Sequence, residues 1–379
     1  MLKIGVIGYG IRINSIVKKL VATGEVELAA IMDVDFETVK EKYLEPNGYE
    51  NINFYSDADE MLTKEKLDGV CIGTRCNLHT HYAMMVAKYN IPLFLEKPVC
   101  ITYDELNKLK SIPHMNEKTV VSFPLRLSNM CVYVKDIVDS GRLGEISQVQ
   151  AYNNVTYGRG YFHLWYRNDN ETGGLFLQKA THDLDYINYI LGSGIKPVCV
   201  SAMESKQIYK GNKPAGLKCK DCDERLTCQE SDINIKKLND GRRIGEYCCY
   251  AVDTGNHDSG SVLVQYDNGL HAVYTQNFVV REGAGKRGAR IVGYRGTVEF
   301  DWKSGIVTVY HHFDKVTETH NFGETDGHGG GDELLCENFV GVMKGEEKSH
   351  SPLSEGILSA ELCLAAKKSA QEHIFVNID

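Results

Sequence analysis

Positive charge is in short supply. The chain has 42 lysines and arginines against 51 acidic residues, a formal net charge of -9. Nucleic-acid binders need a concentrated basic face to displace counterions from phosphate, and the sequence shows no such cluster, so no nucleic-acid partner is expected. Long apolar runs are missing too. No stretch approaches the ~20 residues that span a bilayer, and no membrane partner is expected. The opening "MLKIGVIGYG" enters a strand pattern at once, without the charged region, apolar core and small-residue cleavage site of a secretory signal. A cytoplasmic protein is expected. Internal repeats and low-complexity tracts are also absent. What remains is ordinary globular composition, 42% hydrophobic and 25% charged over 379 residues. That is more chain than one compact core usually holds, which points to two domains.

From residue 1 to about 120, short apolar strands alternate with helical stretches: "LKIGVIGY", then 11–22, "VELAAIMDV", then 36–43, "LDGVCIGT", "THYAMMVAKYN" and "IPLFLEKPV". The fold class expected is α/β, with a doubly wound parallel sheet covered on both faces. After "VVSFPLRLS" the pattern changes. A helix at 129–140 is followed by alternating β segments, and "DNG" at 267–269 marks a hairpin because Asn-Gly tolerates positive φ. Residues 121–379 are therefore expected to form a second α/β domain with a large, open, mainly antiparallel sheet. It carries a Cys-rich insertion over 211–250 and a helix near the end, at 354–371.

Gly8 and Gly10 follow the first strand and open a helix, so backbone amides there could receive a pyrophosphate. The third position of the usual glycine motif is Ile13. Asp33 ends the second strand, where a carboxylate can accept ribose hydroxyls and would repel a 2′-phosphate. NAD is the cofactor expected, in preference to NADP. Capping of the next helix by Asp33 with Asp35 is the structural alternative. Lys97 sits at the carboxyl end of a strand, where open α/β sheets bind their ligands, and could either exchange a proton with a substrate hydroxyl or stay charged and polarise it. His182 opens an amphipathic helix and is available as an acid or base near neutral pH.

The twelve cysteines are expected to be reduced. Cys219, Cys222 and Cys228 form a C-x2-C-x5-C array in a polar insertion, with Cys248 and Cys249 nearby. Four thiolates there would satisfy a tetrahedral zinc, and an iron–sulfur cluster uses the same ligands.

The stretches "GYGIR", "IGTRCNLHTHYA", "EKPV", "SGRLGEI", and "GG" followed by "HDLDYINYILG" occur in the order seen in the Gfo/Idh/MocA oxidoreductases, which this chain resembles over nearly its whole length. The resemblance implies a Rossmann domain and a second domain that mediates homodimers or homotetramers. It places the catalytic residues on Lys97 and His182. Cofactor contacts fall on Gly8, Gly10, Ile11, Arg12, Asp33, Thr74, Asn77, His79, Glu96, Lys97 and Arg126. Many members carry Asp four residues before the histidine; here that residue is Gln178, followed by Lys179, which could take over part of the role or bind a substrate oxygen. "YGRGYFHLWYR", 157–167, has the polar-tipped aromatics of sugar sites, with Tyr157, His163, Trp165 and Tyr166 facing the substrate. In "GHGGGDELL" the resemblance puts His328 against the substrate. It also places the fourth metal ligand on Cys248 in preference to Cys249.

The reaction expected is NAD-dependent oxidation of a secondary CH–OH of a sugar, glycoside or cyclitol, with a small sugar or polyol as partner. Two alternatives stay open: a glycoside-processing enzyme that oxidises its substrate only transiently, and a non-catalytic NAD- or sugar-binding regulatory protein.

Overall fold

The computed structural model describes residues 1–49, 51–237, 245–323 and 328–378. The chain divides into two compact units, Met1–Val132 with Asp326–Glu361, and Tyr133–Thr325 with Leu362–Asp379. Among the described residues no helix is long and apolar enough to cross a membrane.

In the first unit six strands form one sheet: β1 Leu2–Ile7, β2 Val26–Met32, β3 Asn53–Tyr55, β4 Gly69–Ile72, β5 Leu93–Leu95 and β6 Thr119–Val121. Every pairing is parallel, in the order β3-β2-β1-β4-β5-β6. Such strands are buried on both faces, which is why they read as continuous apolar runs. The strand order reverses between β1 and β4, the place where doubly wound sheets bind nucleotides. Helix α1, Ile11–Ala22, buries Ile13, Ile16, Val17 and Leu20, the stripe of one helical face.

Leu335, Phe339 and Val340 of the helix Gly331–Lys344 join Ile4, Val6, Ile13 and Phe94 in one core cluster. The sequence division at 120/121 puts this helix in the second domain; in the structure it packs within the first unit. The reason is apolar cover, since Phe339 meets Phe94 of β5 edge-on at 5.7 Å between ring centroids.

The second unit is built on nine strands: β7 Ile146–Asn154, β8 Pro197–Ser205, β9 Ser259–Tyr266, β10 His271–Asn277, β11 Lys286–Gly293, β12 Gly296–Asp301, β13 Ile306–His311, β14 Thr317–Asn321 and β15 Val376–Asn377. Their order is β14-β13-β12-β11-β7-β10-β9-β8-β15. Only the β7–β10 pairing is parallel. The hairpin foreseen at Asp267–Gly269 joins β9 to β10, with Gly269 at φ 89°. Along β9, Val262, Val264 and Tyr266 are buried while Ser261, Leu263 and Gln265 face out. The helix Thr181–Leu191 lies on the buried side, where Tyr186 meets Phe300 of β12 edge-on and donates to the Gly288 carbonyl of β11.

Candidate active site

In the first unit, the loops leaving β1, β2, β4 and β5 bring Gly8, Asp33, Thr74 and Lys97 to one edge of the sheet. Gly8 has φ 77°, and a Cβ on it would stand 2.8 Å from the Thr74 backbone nitrogen, so both conformation and crowding demand glycine. Gly10 caps α1, and a Cβ there would meet nothing within 4 Å. The helix start is thus uncrowded, as a pyrophosphate requires. Ile11 beside it is exposed.

The Asp33 carboxylate accepts the Tyr9 N–H at 2.6 Å and the Asp35 N–H at 3.0 Å. The helix cap belongs to Asp35, whose Oδ1 accepts from the Thr38 N–H. Two of the roughly four lone-pair positions on Asp33 are occupied, which leaves acceptor capacity for hydroxyls. Asn77 Oδ1 is buried without a partner. His79, 1% exposed, sits 2.7 Å from the Pro98 carbonyl and 3.2 Å from that of Thr74. Burial lowers its pKa, and a neutral ring donates from one nitrogen only, so it can hydrogen-bond one of these two carbonyls at a time. The Lys97–Pro98 bond is cis, and Lys97 is partly exposed. An open helix start, a carboxylate with spare acceptors and an unsatisfied amide oxygen fit a dinucleotide.

Arg12 holds this edge together. Its Nε donates to Glu96 at 3.0 Å, one terminal nitrogen donates to Ser122 Oγ at 3.0 Å, and both terminal nitrogens reach Asp332, at 2.6 and 3.0 Å. Asp332 also receives His328 Nδ1 at 2.9 Å. Burial alone would raise the Asp332 pKa, but the hydrogen bonds from His328 and Arg12, with the guanidinium charge, hold it well below the usual carboxylate range. Glu96 and Arg12 therefore satisfy one another. Arg126 is buried, 3.3 Å from Glu355 and 3.2 Å from the His350 carbonyl.

In the second unit the site residues gather before and within the helix Thr181–Leu191, which a π-turn at Phe176–Ala180 precedes. His182 is buried on its first turn. Gln178 directs its amide nitrogen at the Thr172 carbonyl, 3.5 Å away. Lys179 donates to the Tyr157 hydroxyl, with its ammonium 4.4 Å from the Tyr157 ring centroid and 5.4 Å from that of Tyr161. Trp165 stacks on Tyr166 at 4.0 Å.

The sequence reading missed Asp183, next to His182. Its fully buried carboxylate accepts from Arg287 Nε at 2.8 Å and a terminal Arg287 nitrogen at 3.0 Å, and from Asn153 and the Tyr274 hydroxyl, each at 3.0 Å. A charged residue on the apolar stripe of "HDLDYINYIL" was the available signal. The Arg12–Asp332 pair left no such trace, because it joins residues 320 positions apart.

Cys219, Cys222, Cys228 and Cys248 line one small cavity together with Cys249 and His163. All are free thiols. Burial raises the pKa of Cys248, and the neighbouring Cys222 and Cys228 raise it further. His163, expected at the substrate, is 2% exposed and 2.6 Å from the Tyr247 carbonyl through Nδ1, while its Nε2 is buried without a partner. Among the described residues no group of three or more His, Cys, Asp and Glu side chains is arranged to hold a metal ion. Residues 238–244 of the insertion, and Gly327, lie outside the described residues.

Residues 2–123 match an oxidoreductase family described as having an NAD-binding Rossmann fold, and residues 131–299 match the Gfo/Idh/MocA C-terminal domain. The chain belongs to the Gfo/Idh/MocA oxidoreductases. This family member is 26% identical to the putative oxidoreductase YteT of Bacillus subtilis, over 83% of this chain and 82% of that one. It is 26% identical to the myo-inositol 2-dehydrogenase of Thermotoga maritima, over 52% of this chain and 57% of that one. A levoglucosan dehydrogenase solved with NADH and levoglucosan shares the fold, with a TM-score of 0.79 at 16% identity over 99% of both chains.

Proposed function

We propose that this Gfo/Idh/MocA enzyme is an NAD-dependent dehydrogenase of a secondary CH–OH in a sugar, glycoside or cyclitol. The observation that carries the reading is the edge at the strand ends, where an uncrowded helix start, Asp33 and Lys97 lie in one row. The first unit holds the dinucleotide, and the second the substrate. NAD+ supplies the hydride acceptor at its nicotinamide C4. Asp33 accepts the ribose hydroxyls, and its charge disfavours NADP. Lys97 orients and polarises the substrate oxygen. The family resemblance gives the hydroxyl proton to His182. Purified protein screened against sugars, glycosides and inositols should reduce NAD+ with at least one of them; oxidised substrate without net NADH would instead indicate transient oxidation.

The exposed face of the second sheet, with Leu263 and Met203, suits contact between copies of the chain. A homodimer or homotetramer is the assembly proposed, to be read by light scattering.

A second reading concerns the cysteines. Cys219, Cys222, Cys228 and Cys248 line one cavity and are the ligand types of a four-thiolate Zn2+ site, although as placed no three of them are arranged to hold the ion. The role is structural, and metal analysis under reducing conditions tests it.

A further inference from the structure

Lys179 is 6% exposed, and among the described residues no carboxylate is paired with it. An ammonium taken out of water is costly unless something compensates its charge. Its hydrogen-bond partner is the Tyr157 hydroxyl, and two aromatic faces, those of Tyr157 and Tyr161, lie within 5.4 Å. The carboxylate four residues along the chain, Asp183, is already engaged by Arg287, Asn153 and Tyr274. Tyr157 is 46% exposed, so the buried cation acts on a phenol that reaches solvent.

Two cations act on that phenol. Lys179 comes from the turn before the helix, and Arg287 of β11, itself matched by Asp183, feels Tyr157 electrostatically. Tyr161, from the short helix Gly160–His163, adds a neutral ring. A cation donating to the phenolic oxygen stabilises the phenolate and leaves the hydroxyl proton to point elsewhere. Lys179 also stands three residues before His182 in the chain, the residue that the resemblance makes catalytic.

We infer that Tyr157 is the acid–base residue for the substrate hydroxyl, with Lys179 as its positioning residue. The inference rests on the dehydrogenase reading and deepens it, by moving to Tyr157 the proton that the resemblance gives to His182. In the oxidative direction the substrate O–H bond breaks and its proton goes to the Tyr157 phenolate oxygen. The carbon's hydrogen leaves with its electron pair for nicotinamide C4, so the substrate is oxidised to a carbonyl and NAD+ is reduced. Reduction runs these transfers backwards. Lys179 keeps its proton throughout.

The test uses the full chain as Tyr157→Phe, Lys179→Gln and Lys179→Arg. Alkaline titration followed in the ultraviolet band of tyrosinate, wild type minus Tyr157→Phe, isolates the Tyr157 ionisation. That ionisation should move to higher pH in Lys179→Gln and return in Lys179→Arg. With a substrate from the screen, Tyr157→Phe should lose about 100-fold or more in kcat with KM little changed, the range of one general base. The pH limb of kcat should shift upward in Lys179→Gln. An unmoved ionisation in Lys179→Gln, or a Tyr157→Phe enzyme within about threefold of wild-type kcat, overturns the inference. If no sugar, glycoside or inositol reduces NAD+, the dehydrogenase reading falls, while the titration still decides whether Lys179 primes Tyr157.

Discussion

A Cβ placed on Gly73 would stand 2.6 Å from the Cβ of Ile13. Ile13 occupies the position where a dinucleotide motif usually has its third glycine, the one that lets helix and strand approach. Here the missing bulk is on the partner. Gly73, just past β4, has no side chain, and α1 keeps its close approach. Gly73→Ala should cost about 2 kcal/mol by overpacking and weaken NAD binding with it. Adding Ile13→Ala should recover part of that loss, although Ile13→Ala alone costs about 2–4 kcal/mol. Urea melts of the three variants measure the coupling.

Asp33 has two duties, tying Tyr9 and Asp35 and offering acceptors to the cofactor. Asp33→Ser should weaken NAD binding by about tenfold, or ~1.4 kcal/mol, and narrow the preference over NADP. Calorimetric titration with both dinucleotides checks the direction. A variant that binds the two as wild type does would remove Asp33 from the cofactor site.

Lys97→Ala should bind NAD within a few-fold of wild type and lose about 100-fold or more in turnover, as expected of a group that acts on the substrate oxygen. Dinucleotide binding and NADH production on the same preparation separate the two effects. Near-normal turnover would sink the assignment.

Asp332 sets a pH dependence of stability. Its folded pKa lies below the unfolded value of ~3.9, so its contribution is complete above that value and fades as pH falls toward the folded pKa. Asp332→Asn should cost about 2 kcal/mol at neutral pH, because Arg12 and His328 lose a shared carboxylate. The gap to wild type should close below pH ~4. Thermal melts across that range give the answer.

If the cysteine cavity holds zinc, one equivalent should be released by a strong chelator, with a fall in melting temperature that added Zn2+ reverses. Cys219→Ser should remove both effects. Metal-free protein purified under reducing conditions, with an unchanged melt, would leave the four thiols as packing groups.

Local features of this chain were legible because each is written in adjacent residues. The stripe of Ile13, Ile16, Val17 and Leu20 dictates α1, the turn residues Asp267–Gly269 fix the β9–β10 hairpin, and Gly8, Asp33 and Lys97 follow their strands. Long-range satisfaction of charge was not legible. Nothing in "GIRIN" says that its arginine will be matched by Glu96 and Asp332, and nothing in "HDLD" says that Arg287 neutralises the second residue. The sequence also does not show that His163 turns toward the thiols, since its environment is made by residues from Cys219 to Tyr250.

Arg12 gives the first unit a particular history. The guanidinium near the start of the chain is satisfied by a carboxylate 320 residues later, and Phe339 seals the same core. During synthesis the six strands of the first sheet and Glu96 are made early, but Asp332, the second carboxylate on Arg12, and the helix that covers Phe94 are made only after almost all of the second unit. A chain of 132 residues therefore has every strand of the sheet, with Arg12 holding Glu96 but lacking its second carboxylate and with an apolar face uncovered. The unit begun first is closed only after residues 133–325 of the second have been made.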